Sequence, residues 1–563
     1  MSLFYPGPAL SHDQIAAAIY ETMIRPEQFD RFSPFQQPGG SNACGGWRVT
    51  PELPKAAPGL QAHFGRAREI QDGQWVRAGR PHPRDFYDDN TRAWLLADNR
   101  GRLLRMSRRA QQRTWGGTRD PGAAMQLTPG SRRRWGGFLE RLRGKEFNWN
   151  DAVVLKTAEP ARKVLCRPVW SGAGEAVPVA AMAELLEFEW HSDAVARAAG
   201  ALGLGGSDLA PLRELMAGAE APGAEALAAL DRIAARAGAP GVAELVRLVA
   251  FLLQEQAGDL AIARGERLPP SRELLGTGGQ RTQYFRLGAD TGRPVIYVHG
   301  LLDVIAPVQR LQPRLRHLGL RVYAPLRGGY GSSSPVPPGQ RPVEAFMQQI
   351  KTLILEENLQ RPILLAQRGG TLFARAAAER LRDRVPGVVA AAATGPMLPD
   401  QPPPKLKGFS RAAVLLADHP PRLLPWLVTG WPGGYEALLY AQSAEGSHER
   451  HLLEQLDLRG VMNLSQELFL AQKGAGFAAD LPVLRHGAGG GKGNGAGPGA
   501  GVRSVYLHGG DDRTTPLDRL RAVIPGEDGS QLRVCRDAGT LLLYTFPELV
   551  LEALSGFAAP GRS

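Results

Sequence analysis

Cysteine is scarce in this chain of 563 residues. Cys44, Cys166 and Cys535 stand far apart, with no CxxC pair. That argues against a disulfide framework and against a cysteine-ligated zinc site. No run of about 18 uncharged apolar residues occurs, so no membrane span is expected. The opening MSLFYPGPALSHDQ lacks a basic segment followed by an apolar core, and no secretory leader is read there. These absences lead us to expect a cytoplasmic protein. Acidic residues are also in deficit, 55 against 67 lysines and arginines, which leaves a net charge of +12. Part of the excess is clustered in RMSRRAQQR (105–113) and SRRRW (131–135). Such clusters attract phosphates, or simply form a solvated arginine-rich surface. The length exceeds one ordinary core, so about two to four domains are expected.

The segment SHDQIAAAIYETMIRPEQFD (11–30) reads as a helix. Ser11 and Gln14 have capping-box spacing, and Ile15, Ile19 and Met23 share one face. A Gly/Pro-rich loop follows, then a second helix over 59–73. WLLADNRGRLLRMSRRA (94–110) has two apolar runs around an Asn-Arg-Gly turn, the pattern of a β-hairpin. A helix over 131–144 and strands at 151–159 and 161–170 complete a small α+β domain. The sequence D-x-x-G-x-L…S-x-x-A within the hairpin resembles the start of PAS domains. That resemblance implies a ligand- or partner-sensing module over residues 1–185. No His or Cys there suits a haem or flavin, and no cofactor is expected.

Residues 187–256 read as helical. LGLGGSDLAPLRELMAG (202–218) and RIAARAGAPGVAELVRLVAFL (232–252) resemble the LuxR-type helix-turn-helix. The resemblance implies DNA binding. About nine residues of that pattern are missing between Gly218 and Ala226, where the reading helix should begin. The remaining AEALAALDRIAARAG (224–238) offers Ala and Leu, which do not read base edges, with Glu225 and Asp231, which repel phosphate. A helical linker, or a dimer surface built on Leu245, Leu248, Val249 and Leu252, is the other reading.

From residue 280 to 557 strands and helices alternate, which implies a mostly parallel, doubly wound sheet. RPVIYVHG (293–300), LRVYAPLRGGYGSSSP (320–335), RPILLAQRGGTLFARAAAERL (361–381), GVVAAAATGP (387–396), VRSVYLHGGDDRTTP (502–516) and LRVCRDAGTLLLYTFPELVLEAL (532–554) carry the pattern. These pieces resemble, in order, the α/β-hydrolase family. In that resemblance VHG supplies an oxyanion-hole amide, LLAQRGG the nucleophile elbow, HGGDDRTTP the catalytic acid and DAGT the place of the catalytic histidine. The three seats then hold Gln367, Asp512 and Thr540. A glutamine amide is no nucleophile and threonine carries no imidazole, so the acid has no base to orient. No G-x-S-x-G occurs elsewhere. His299 and His508 occupy places that commonly hold structural histidines.

The expected ligand-contacting residues are therefore His299, Gly300, Leu301, Gln367 and Arg368. The backbone amide of Arg368 would be the second oxyanion donor, and its guanidinium a contact for an anionic ligand. A helical lid is expected over 401–480, with Trp426, Trp431 and Phe469 as pocket or core residues. GAGGGKGNGAGPGA (487–500) reads as a flexible insert.

Taken together, the chain resembles bacterial LuxR-family regulators fused to an α/β-hydrolase domain, altered at both chemical readouts. We expect a non-catalytic regulator that takes a small-molecule ligand or a protein partner, without metal or membrane. A DNA-binding regulator and a hydrolase-fold enzyme of unorthodox chemistry using His299 or His508 are the alternatives, and a homodimer is compatible with the pattern.

Overall fold

A computed structural model describes residues 93–107, 120–144, 152–158, 162–169, 180–186, 192–218, 224–290, 292–395, 439–487, 502–524 and 530–557, less isolated positions, with a few residues of 15–19, 60–67 and 110–111. Trp426, Trp431, the first part of the expected lid and the glycine-rich insert lie outside these residues. The chain divides into two units, Pro8–Gly258 and Asp259–Ser563 together with Met1–Gly7.

The first unit is α+β. Its strands are β1 (Trp94–Asp98), β2 (Leu103–Met106), β3 (Val153–Lys156), β4 (Lys163–Val169) and β5 (Ala180–Leu186). They form an antiparallel sheet in the order β2-β1-β5-β4-β3. The hairpin motif is explained by hydrogen bonds. Asp98 Oδ1 accepts the amides of Arg100 and Arg102, and Gly101 takes φ +79° in the turn. Ser107 Oγ accepts the amides of Trp94 and Ala110, closing the hairpin's far end. Helix α1 (Pro129–Arg143) opens with Thr128 as cap and Pro129 in its first turn, and buries Trp135, Phe138, Leu139 and Leu142. Strand β5 was not expected from the sequence. It lies between β1 and β4, in the middle of the sheet.

Four helices follow: α2 (Ser192–Ala201), α3 (Leu209–Ala217), α4 (Ala224–Arg236) and α5 (Val242–Ala263). Leu245, Leu248, Val249 and Leu252, the expected dimer surface, are at most 4% exposed. They sit in a core with Ile15, Ile19, Leu60, Phe64, Leu212 and Ile233. Their apolar stripe is therefore consumed within the chain and cannot form a dimer face. On α4 the exposed positions include Ala228, Asp231, Arg232, Ala235 and Arg236, and Arg236 is paired with Asp208.

The second unit holds eight strands: β6 (Ser271–Leu275), β7 (Arg281–Gly288), β8 (Arg293–Val298), β9 (Leu320–Pro325), β10 (Ile363–Gln367), β11 (Gly387–Ala391), β12 (Arg503–Gly509) and β13 (Gln531–Cys535). Their spatial order is β13-β12-β11-β10-β8-β9-β7-β6. β6, β7 and β9 pair antiparallel; β9, β8, β10, β11, β12 and β13 pair parallel. Central strands such as VIYV and ILLA are apolar throughout because both faces are covered. Alternate residues feed two cores. Tyr297, Leu365, Ala391 and Leu507 face one side; Ile296, Val298, Leu364, Ala366 and Tyr506 face the other. The second side is covered by α6 (Pro342–Glu356), with Val343, Phe346, Ile350 and Leu353 buried, and by α7 (Gly370–Arg380), whose Phe373 meets Phe346 edge-on at 5.6 Å. Beyond β11 come α8 (His448–Glu454), α9 (Arg459–Leu470) and α10 (Ala475–His486), and α11 (Pro547–Gly556) closes the unit. Phe469 is fully buried against Tyr330 and Phe477, so it serves the core and lines no pocket.

Candidate functional site

The site forms where β8, β10, β12 and β13 end. β10 passes through Gln367 into a turn and then α7. The turn's left-handed residue is Arg368, with φ +49°. Non-glycine residues adopt this region at a cost, and such strain clusters at functional turns. Two further facts set the register. Gln367 points below the turn into the first core, and Gly370 packs so tightly that an added Cβ would lie 2.3 Å from the carbonyl oxygen of Val298. The segment Ala366-Gln367-Arg368-Gly369-Gly370 thus has the small-x-apex-x-small form of G-x-S-x-G, with Arg368 at the apex.

Gln367 is 1% exposed and its amide is spent. Its Oε1 accepts from the Tyr297 hydroxyl, and its Nε2 donates to Asp303 Oδ2 at 2.9 Å. The Tyr544 hydroxyl donates to the same Asp303 oxygen at 3.2 Å. This closed network corrects the expectation that Gln367 contacts a ligand. Burial raises the Asp303 carboxyl above its ordinary value, opposed by the charge of Arg368 and the bond from Gln367. Asp303 Oδ1 has no hydrogen-bond partner, and it faces Gly300, where an added Cβ would approach it to 2.9 Å. Burial also pushes the Tyr297 and Tyr544 hydroxyls well up, so both remain protonated donors.

His299 is structural. The amide of Arg327 donates to Nε2 at 3.2 Å, which places the proton on Nδ1, and Nδ1 donates to the carbonyl of Gly300 at 2.7 Å. Burial, then the Arg327 charge, push His299 well below its ordinary value, so it stays neutral. Arg327 itself is 1% exposed. Its guanidinium donates to the carbonyls of His299 (2.6 Å) and Gly300 (2.9 Å) and pairs with buried Asp480 at 2.7 Å. Tyr330 adds a bond to Asp480 at 3.1 Å. This knot fixes the loop after β8. His508 donates from Nε2 to the carbonyl of Thr515 at 2.9 Å. His508 is fully buried, with Nε2 4.0 Å from Asp512 Oδ2.

Asp512 lies after β12, nearly buried. Its Oδ1 accepts the amides of Thr514 and Thr515 at 2.8 and 2.9 Å. The loop after β13 touches this loop directly: the amide of Asp511 donates to the carbonyl of Ala538 at 3.0 Å. Thr540, in that second loop, is 3% exposed. A residue the sequence did not single out, Glu449 of α8, holds this loop. Its Oε1 accepts the amides of Gly539 and Leu541, both at 2.9 Å, one on either side of Thr540. No sequence motif marks Glu449. Burial raises both the Glu449 and Asp512 carboxyls, and the charge of Arg368 opposes the shift in each. Arg368 therefore stands within electrostatic reach of Asp303, Glu449 and Asp512, yet it forms no ion pair with a described residue.

The amide of Arg368 donates to the carbonyl of Ala391 at 3.0 Å, which corrects its expected role as an oxyanion donor. The amides of Leu301, Gly369 and Gly370 find no acceptor among the described residues. Of the residues expected at a ligand, His299 and Gln367 are committed to the core, while Leu301 carries one of the open amides. Among the described residues no group of three His, Cys, Asp or Glu could hold a metal ion, and no helix is long and apolar enough to cross a membrane.

Residues 293–417 match the family model described as alpha/beta hydrolase fold. The second unit accordingly has the alpha/beta hydrolase fold, with a mixed, mostly parallel sheet. Solved structures similar to the chain include an esterase from Exiguobacterium antarcticum (17% identity, 51% of this chain and 99% of that one, TM-score 0.38). A bromoperoxidase from Bacillus anthracis (18%, 51% and 99%, 0.40) and an alpha/beta hydrolase fold protein from Nakamurella multipartita (20%, 52% and 100%, 0.38) are also similar. No curated protein matches the chain.

Proposed function

We propose that this protein is a non-hydrolytic, cytoplasmic regulator, whose hydrolase-fold unit binds a small ligand or a partner instead of cleaving an ester. One observation carries this reading. The apex of the elbow is Arg368, the buried residue before it is Gln367, and the base seat is Thr540, so nucleophile and base are both missing. Removing either typically costs several powers of ten in rate. The two histidines that might have substituted are locked in backbone contacts. The first unit, with its hairpin motif and five-stranded sheet, supports a PAS-like sensing role. The helices α2–α5 fit a LuxR-type ancestry, but the exposed side of α4 offers Ala228, Asp231 and Ala235 beside Arg232 and Arg236, of which Arg236 is paired with Asp208.

The test is covalent labelling with a serine-reactive fluorophosphonate, read by intact mass. The reading expects no adduct on the full chain under conditions that label a control esterase. A stoichiometric adduct on one residue, lost in Asp512→Ala, would overturn it.

A further inference from the structure

Resting on that non-hydrolytic reading, we propose that the ligand is a carboxylic acid whose carboxylate is held at the elbow by the Arg368 guanidinium and the amides of Leu301 and Gly369. Three observations converge. An arginine occupies the strained apex where an attacking side chain would project toward a bound acyl group. Among the described residues that guanidinium has no ion-pair partner, although Asp303, Glu449 and Asp512 lie within its electrostatic reach. The amides of Leu301 and Gly369, from two different segments, are without acceptors among the described residues, and Gly369 opens an eleven-residue helix whose N-terminus favours negative charge.

The chemistry selects the acid over its neutral relatives. A guanidinium fork matches two carboxylate oxygens, whereas an ester or amide offers one carbonyl and no charge. The neighbouring carboxyls are engaged by other donors: Gln367 and Tyr544 donate to Asp303, the amides of Gly539 and Leu541 to Glu449, and those of Thr514 and Thr515 to Asp512. Leu301 and Leu484 flank Gly369 and give the acid's carbon chain an apolar approach.

The full chain is titrated calorimetrically with the straight-chain acids from acetate to octanoate and with benzoate, each beside its primary amide and methyl ester. At least one acid should bind saturably and at least tenfold more tightly than its amide. Arg368→Met should weaken that acid by about tenfold or more, equivalent to about 1.4 kcal/mol, while leaving the amide unchanged. Arg368→Lys should retain part of the affinity. Equal binding of acid and amide, no effect of Arg368→Met, or no binding across the series would overturn the proposal. Hydrolysis of the methyl esters during the titration would instead overturn the non-hydrolytic reading, so the two failures are separate.

Discussion

Asp303, Gln367 and Arg327 show how single side chains hold the fold together around the elbow. Gln367→Ala strands the Tyr297 hydroxyl and removes a donor from Asp303. A loss of about 1–3 kcal/mol for each stranded group is expected in thermal unfolding of the second unit. Arg327 and Asp480 are each 2% exposed at their side chains, so Asp480→Ala leaves a buried charge alone. That variant should lose about 3–5 kcal/mol. Asp303 makes a pH prediction. Burial raises its carboxyl in the folded chain, so the folded state binds that proton more tightly than the unfolded one. The contribution is fully present below the unfolded value and is lost as pH rises through the folded one. Asp303→Asn should therefore remove part of the fall in melting temperature as pH rises from about 4, the unfolded carboxyl's value, through the folded one. These side chains carry no sequence motif of their own. Gln367 was visible as an oddity in the elbow, but its partners Tyr297 and Asp303 come from β8 and the loop after it, and Tyr544, bonded to Asp303, from near the chain's end; only the folded sheet brings them together.

The elbow element was legible, and its register was not. LLAQ followed by two glycines announces strand, turn and helix, but Gly369 and Gly370 allow two alignments with a G-x-S-x-G frame. The positive φ at Arg368 and the crowding at Gly370 decide between them. Gly370→Ala should be costly, about 1–3 kcal/mol or more, because backbone oxygens stand in the way. Gly369→Ala meets only the end of the Leu484 side chain and should cost less. The register also predicts a graft. Arg368→Ser with Thr540→His should create measurable hydrolysis of a p-nitrophenyl ester, and Gln367→Ser with Thr540→His should not. The reverse result would restore the apex to Gln367. Strand β5 shows a different limit. AAMAELL is made of good helix formers, and its place between β1 and β4 overrides that preference. Helix α5 shows a third: its periodic Leu and Val residues announce an apolar stripe, and periodicity alone does not say whether the stripe meets its own chain or another copy.

At the level of the whole molecule, an α+β unit and four helices precede a sheet unit whose reactive seats hold an arginine and a threonine. The alternation of strands and helices after residue 280, and the order of the motifs, made the second unit readable from sequence. The helical segment resisted reading because helical periodicity reports the buried face and says nothing about what the exposed face binds. The exposed face of α4 predicts that the full chain shows no sequence preference among duplex DNAs in a gel-shift titration at physiological salt; retention of one duplex over the others would revive the DNA-binding alternative. The claim on which the rest depends is the absence of ester cleavage. Initial rates with p-nitrophenyl acetate, butyrate and octanoate, for the full chain and for Asp512→Ala, test it most directly. The account predicts that both proteins match the buffer blank, whereas saturable turnover by the unaltered chain that disappears in Asp512→Ala would contradict it.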